Sequence, residues 1–161
     1  MPDITLLGWF HTLIGILALL SGVYTLAIFK VIGMGQRSGQ IYLGCTLVAA
    51  VSALGIYNQG GFGIAHVLAV LTLAAVLVGF GAEKTTVFGK LSPYLQAASY
   101  SATFLFHMIP AITDGLRRLP VNDPIVTEVD DPLLRGFYLA FLIAYFVGYL
   151  VQVIYLRRQG R

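Results

Sequence analysis

Five apolar runs, each close to the ~20 residues needed to cross the hydrocarbon core of a bilayer, decide most of what this chain can fold into. They cover residues 4–29, 40–57, 62–82, 91–112 and 133–156. With 58% hydrophobic and 11% charged residues and a mean hydropathy of +0.84, the chain is too apolar for an ordinary soluble domain. A segment in lipid must satisfy its own backbone hydrogen bonds, which favours helix. We therefore expect an all-α integral membrane protein, a single domain over residues 1–161 built as a bundle of five transmembrane helices.

Local signals punctuate these runs. Ser92 followed by Pro93 reads as a helix start, and Asn58-Gln59-Gly60-Gly61 as a tight turn between the second and third spans. Residues 113–132 form the one long extramembrane loop, with Pro120, Pro124, Pro132 and most of the acids. The second span is short and rich in small residues. A single cysteine, Cys45, excludes an intramolecular disulfide or a cysteine-built metal site. No internal repeat or low-complexity tract is present.

Charge sets the orientation. With the N-terminus outside, Lys30, Arg37, Lys84, Lys90, Arg157, Arg158 and Arg161 fall inside with Glu83, whereas Arg117, Arg118 and Arg135 fall outside with the remaining acids. That bias is the positive-inside pattern, and an even number of spans would spoil it. The start, Met1-Pro2-Asp3, lacks the basic region of a signal peptide, so the first span is expected to be a retained helix. The net charge of +3 thus reports topology and gives no reason to expect nucleic acid. The expected partners are the lipid bilayer and either another membrane protein or a second copy of the chain. The expected location is a bacterial inner membrane.

Three histidines stand out, because ionisable or metal-binding side chains at membrane depth usually mark a site or a polar interior. At ~1.5 Å per residue, His11, His66 and His107 lie about 10, 6 and 8 Å below the outer ends of the first, third and fourth spans. In the first span His11, Gly15, Ala18 and Gly22 share a face of small residues that lets helices approach closely. In the fourth, Gln96, Tyr100, Thr103, His107, Pro110 and Asp114 form a polar stripe. In the fifth, Arg135, Tyr138, Tyr145, Tyr149 and Gln152 fall on one side. The fourth and fifth helices are expected to face each other across a polar seam of Gln96, Tyr100, Thr103, Asp114, Tyr145 and Gln152.

Two chemistries suit a histidine layer. A haem b clamped between helices needs axial imidazoles at matching depth, room for the ring and cations for its propionates. His11 with His66 or His107 would supply the axial pair, Gly15 the room, and Arg117, Arg118 or Arg135 the cation. Alternatively, His11, His66 and His107 would together hold a transition metal such as zinc or copper, with their nitrogens ~2 Å from the ion. Asp114 would then fix an imidazole tautomer, and Tyr100 or Tyr145 would lie on a proton or quinone path.

The stretch HTLIGILALLSG, His11 to Gly22, and GQIYLG from Gly39 resemble the first two helices of a family of small bacterial multi-pass membrane proteins of unknown function. In that family the loop before GxxY often carries a further histidine. Here it reads GMGQRSG, without one. The stretch FHMIPAITDGLRRLP, Phe106 to Pro120, is similar to a segment of proteobacterial members with a polar, proline-ended fourth helix. The resemblance brings no established activity. A looser likeness to b-type cytochromes of four-helix membrane bundles is a fold-level analogy.

The sequence leads us to expect a membrane bundle with a haem or metal site near its outer face and an electron-transfer or quinone-linked role. The alternatives are an accessory or scaffold subunit in which the histidines only join helices, and a small-solute transporter or channel. No catalytic residue is assigned.

Overall fold

The computed structural model describes residues 4–57, 61–85 and 87–160. Among them no strand occurs, and five α-helices account for most of the chain: α1 (Leu6–Phe29), α2 (Arg37–Ala53), α3 (Ile64–Lys84), α4 (Ser92–Arg118) and α5 (Pro132–Arg158). The turn expected at Asn58-Gln59-Gly60-Gly61 lies, but for Gly61, outside the described residues.

Local chemistry sets the helix ends. Thr5 caps α1 by accepting the Gly8 amide at 3.1 Å. At its other end Lys30 takes the left-handed conformation, φ 66°, and its amide bonds to Leu26, a cap in which lysine stands where glycine is usual. A short 3-10 turn, Gly89–Leu91, feeds α4, which carries proline in its first turn. Asp131 caps α5 by accepting the Leu133 amide at 2.8 Å.

Sequential helices pack side by side, and α4 also touches α1. The centre is Ala18, Tyr42, Leu43 and Tyr100, with Ile32 closing one end. Gly22 makes the close approach possible: a Cβ there would lie 2.8 Å from the Tyr42 ring and 3.1 Å from Phe104. Of the small-residue stripe on α1, Ala18 and Gly22 are buried contacts, whereas a Cβ on Gly15 would meet nothing within 4 Å.

Three helices are long and apolar enough to cross a membrane: α1, α3 and α5. Most of each faces outward, with only 17%, 22% and 11% of their apolar windows buried. The other two sit between these neighbours. The 17 residues of α2 span about 26 Å at 1.5 Å per residue, and α4 carries the polar stripe, which lowers its apolarity. The boundary between fourth span and loop also shifts. Helix continues through residues 113–118, where Asp114 and Arg118 approach to 3.8 Å one turn apart, so the loop proper begins at Leu119.

Candidate functional site

The helices run alternately up and down, so the start of α1, the end of α2, the start of α3 and the end of α4 meet at one end of the bundle. All three histidines are there. His11 places Nδ1 3.0 Å from the Ala49 carbonyl and 3.1 Å from Ser52 Oγ. A carbonyl can only accept, and the Ser52 hydroxyl donates to the same carbonyl at 2.9 Å. Nδ1 of His11 must therefore carry the hydrogen, which leaves the Nε2 lone pair of the neutral ring free. One turn earlier on α2, Thr46 Oγ1 shares a hydrogen with His107 Nε2 at 3.1 Å.

His66 has a different task. Its Nδ1 accepts the Gly63 amide at 3.1 Å, closing the first turn of α3. Its ring lies between Tyr57 and Phe62, at centroid distances of 4.7 and 5.0 Å. Among the described residues no three histidine, cysteine, aspartate or glutamate side chains converge to hold a metal ion. Neither the cavity along Leu26, Phe104 and Phe141 nor the smaller one by Phe29, Tyr155 and Leu156 is lined by a histidine. A haem between His11 and His107 would find one imidazole already oriented by a backbone carbonyl, as ligand imidazoles usually are, and one whose Nε2 is engaged with Thr46. The cations proposed for propionates have other contacts: Arg117 Nε donates to the Thr127 carbonyl at 3.2 Å, and Arg135 lies 3.6 Å from Asp130.

The polar stripe of α4 exists, but most of it does not face α5. Tyr42 donates to Thr103 Oγ1 at 2.6 Å, because the Thr103 hydroxyl is itself donated to the Tyr100 carbonyl at 2.7 Å. Tyr100 donates to Glu83 Oε2 at 3.0 Å, Gln96 to the Ile32 carbonyl at 3.0 Å, and His107 meets Thr46. The stripe therefore meets α2, α3 and the 30–36 turn. The seam with α5 runs through neighbouring positions instead: Ser101 donates to Gln152 Oε1 at 2.9 Å, Tyr145 to the Ala98 carbonyl at 3.3 Å, and Thr113 meets Tyr138 at 2.7 Å. Of the expected seam residues, Tyr145 and Gln152 are in it. Gln96, Tyr100 and Thr103 are on the other side of the helix, and Asp114 pairs with Arg118.

A second polar cluster, unforeseen from sequence, closes the opposite end. Glu83 Oε1 accepts the Met34 amide at 2.7 Å while Oε2 accepts Tyr100. Gln40 donates to the Met34 carbonyl at 2.7 Å and Gln152 to the Lys30 carbonyl at 2.9 Å. Together with Gln96 on Ile32, side chains from α2, α3, α4 and α5 all grip the turn between α1 and α2. Gly33 and Gly39 meet inside it: a Cβ on Gly39 would collide with the Gly33 carbonyl. The sequence signal was the run of glycines with Gln36, Gln40, Glu83 and Gln96, but only the long-range pairing shows what they do.

Beside these clusters a groove of about 380 Å³ lies between α1 and α5 with α4 as its floor, lined chiefly by apolar side chains and by Lys30, Ser101 and Gln152. No protein-family model, curated protein or solved structure matches this chain.

Proposed function

We propose that the protein is a five-crossing bundle with its N-terminus outside and C-terminus inside, set in a bacterial inner membrane. In this reading it serves as a non-enzymatic accessory or scaffold subunit. Two of its histidines join helices and the third caps one. The observation that carries this is that His11 and His107 both hydrogen-bond to one face of α2, a turn apart, while His66 caps α3. Charge distribution supports the crossings and the orientation. The less apolar α2 and α4 fit the same reading, since their polar groups are sheltered by α1, α3 and α5.

A second reading keeps a haem b on His11 and His107 in an electron-transfer role, because the free Nε2 of His11 is what a ligand imidazole offers. Arg117 is then the cation nearest in sequence. The two readings separate in one spectrum of detergent-purified protein, oxidised and dithionite-reduced, with metal analysis on the same sample. The accessory reading expects no Soret band and no stoichiometric metal in protein expressed with haem precursor and metals supplied. It also expects His11→Ala to lower stability by about 0.6–1.7 kcal/mol, the worth of an interhelical hydrogen bond in membranes. A reducible Soret band lost in both His11→Ala and His107→Ala would sink the accessory reading and establish the second.

A further inference from the structure

The groove between α1 and α5 has a built polar end and an apolar length, and its surroundings identify what fits it. Among the described residues α1 and α5 flank α4 without packing closely on one another, so the groove is open along one side. Leu26, Phe104, Met108 and Phe141 line it, and Ala144 and Gly148 keep the α5 wall shallow. A Cβ on Gly148 would meet nothing within 4 Å.

Lys30 sits at one end. Its backbone is fixed twice, by its own amide bonding to Leu26 and by the buried Gln152 amide donating to its carbonyl. Gln152 is in turn fixed by Ser101. The Lys30 ammonium donates to the Ala27 carbonyl at 2.6 Å, yet among the described residues no carboxylate lies within ion-pair distance of it. The acid at that end, Glu83, has both oxygens taken by Met34 and Tyr100. A fixed, carboxylate-free cation at the end of an apolar slot is complementary to an amphiphile with an anionic head and an alkyl tail. At a membrane surface basic residues attract anionic lipids in this way.

We propose that this groove binds one anionic phospholipid, with the phosphate at Lys30 and an acyl chain along Leu26, Phe104 and Phe141. The proposal rests on the membrane-crossing reading only in requiring Lys30 at a bilayer surface. It does not depend on which face that is, nor on whether the histidines carry a cofactor.

Native mass spectrometry of the detergent-purified full chain, titrated with dioleoylphosphatidylglycerol or with dioleoylphosphatidylcholine, tests it. The wild type is expected to retain one phosphatidylglycerol in preference to phosphatidylcholine. Lys30→Asn suits the left-handed cap and removes the charge. It should reduce phosphatidylglycerol binding roughly five-fold and erase the preference, the loss expected for one lysine against an anionic surface. Lys30→Arg should keep it. Gly148→Leu puts a side chain into the slot from a position where an added Cβ meets no protein atom within 4 Å, and should reduce retention of both lipids. Undiminished, preferential phosphatidylglycerol retention by Lys30→Asn or by Gly148→Leu overturns the proposal, as does equal retention of the two lipids by the wild type. Failure of the wild type to partition into membranes at all would instead refute the membrane reading, so the two failures are distinct.

Discussion

At the scale of single residues two glycines, Gly22 on α1 and Gly79 on α3, are each constrained by a buried tyrosine ring of a neighbouring helix, and they behave differently from a third that looks the same in sequence. A Cβ on Gly22 presses on the Tyr42 ring, and one on Gly79 collides with the Tyr100 ring. Neither ring can yield easily. Both are fully buried, and their hydroxyls are held by Thr103 and Glu83. Gly79→Ala is therefore expected to destabilise the protein by about 1–3 kcal/mol, the usual cost of overpacking. Gly15→Ala enters open space and exchanges glycine for a better helix former, so it should be neutral or stabilising by up to about 1 kcal/mol. Thermal unfolding of both variants in the same detergent checks this, and equal melting temperatures would refute it. Sequence spacing put Gly15 and Gly22 on one stripe, correctly as geometry, but it could not tell which member meets an aromatic ring, because that ring comes from another helix.

The helices show why polar residues in the apolar runs lie where they do. The intervals along α4 from Gln96 to His107 define a real stripe, and that much was legible in the sequence. Its direction was not, since a helix face acquires a partner only when its neighbours arrive. The structure turns it toward α2, α3 and the 30–36 turn, where the free backbone groups of that turn need partners that lipid cannot supply. Glu83 was readable only as a lone acid on the basic side, because its partners, Met34 and Tyr100, are distant along the chain. Its clamp predicts an asymmetry. Glu83→Gln retains a carbonyl oxygen for the Met34 amide and an amide group that the Tyr100 hydroxyl can accept from. Glu83→Ala leaves both donors unsatisfied, at about 1–3 kcal/mol each. Limited proteolysis at Arg37 should therefore speed up clearly in Glu83→Ala and little in Glu83→Gln. Equal cleavage rates in both variants and the wild type would show that the clamp does not hold the turn.

On the scale of the whole molecule, the outward faces of α1, α3 and α5 set the environment. Leu6, Leu13 and Leu20 on α1, Leu77 on α3, and Leu139 and Leu150 on α5 are each 59–87% exposed. In water each such side chain would forgo about 1.5–3 kcal/mol of burial. A contiguous apolar surface of that kind is a lipid-facing one. The two ends carry different charge: acids cluster in residues 119–131, and basic residues flank the 30–36 turn and the end of α5. If both ends lay on one side of the membrane the positive-inside bias would vanish, so the bias favours the proposed five crossings with these segments on opposite faces. Single cysteines at Val121, in the acidic loop, and at Gln159, beyond α5, test this in a Cys45→Ala background, since both positions are exposed. In intact spheroplasts a membrane-impermeant maleimide should label the cysteine at 121 and leave the one at 159 unlabelled until the membrane is permeabilised. Labelling of both before permeabilisation would mean an even number of crossings between them. That would require α5, the most outward-facing of the three apolar helices at 11% buried, to lie along the surface rather than cross. The reverse pattern would keep the crossings and invert the orientation, placing the histidine end of the bundle inside and Lys30 in the outer leaflet.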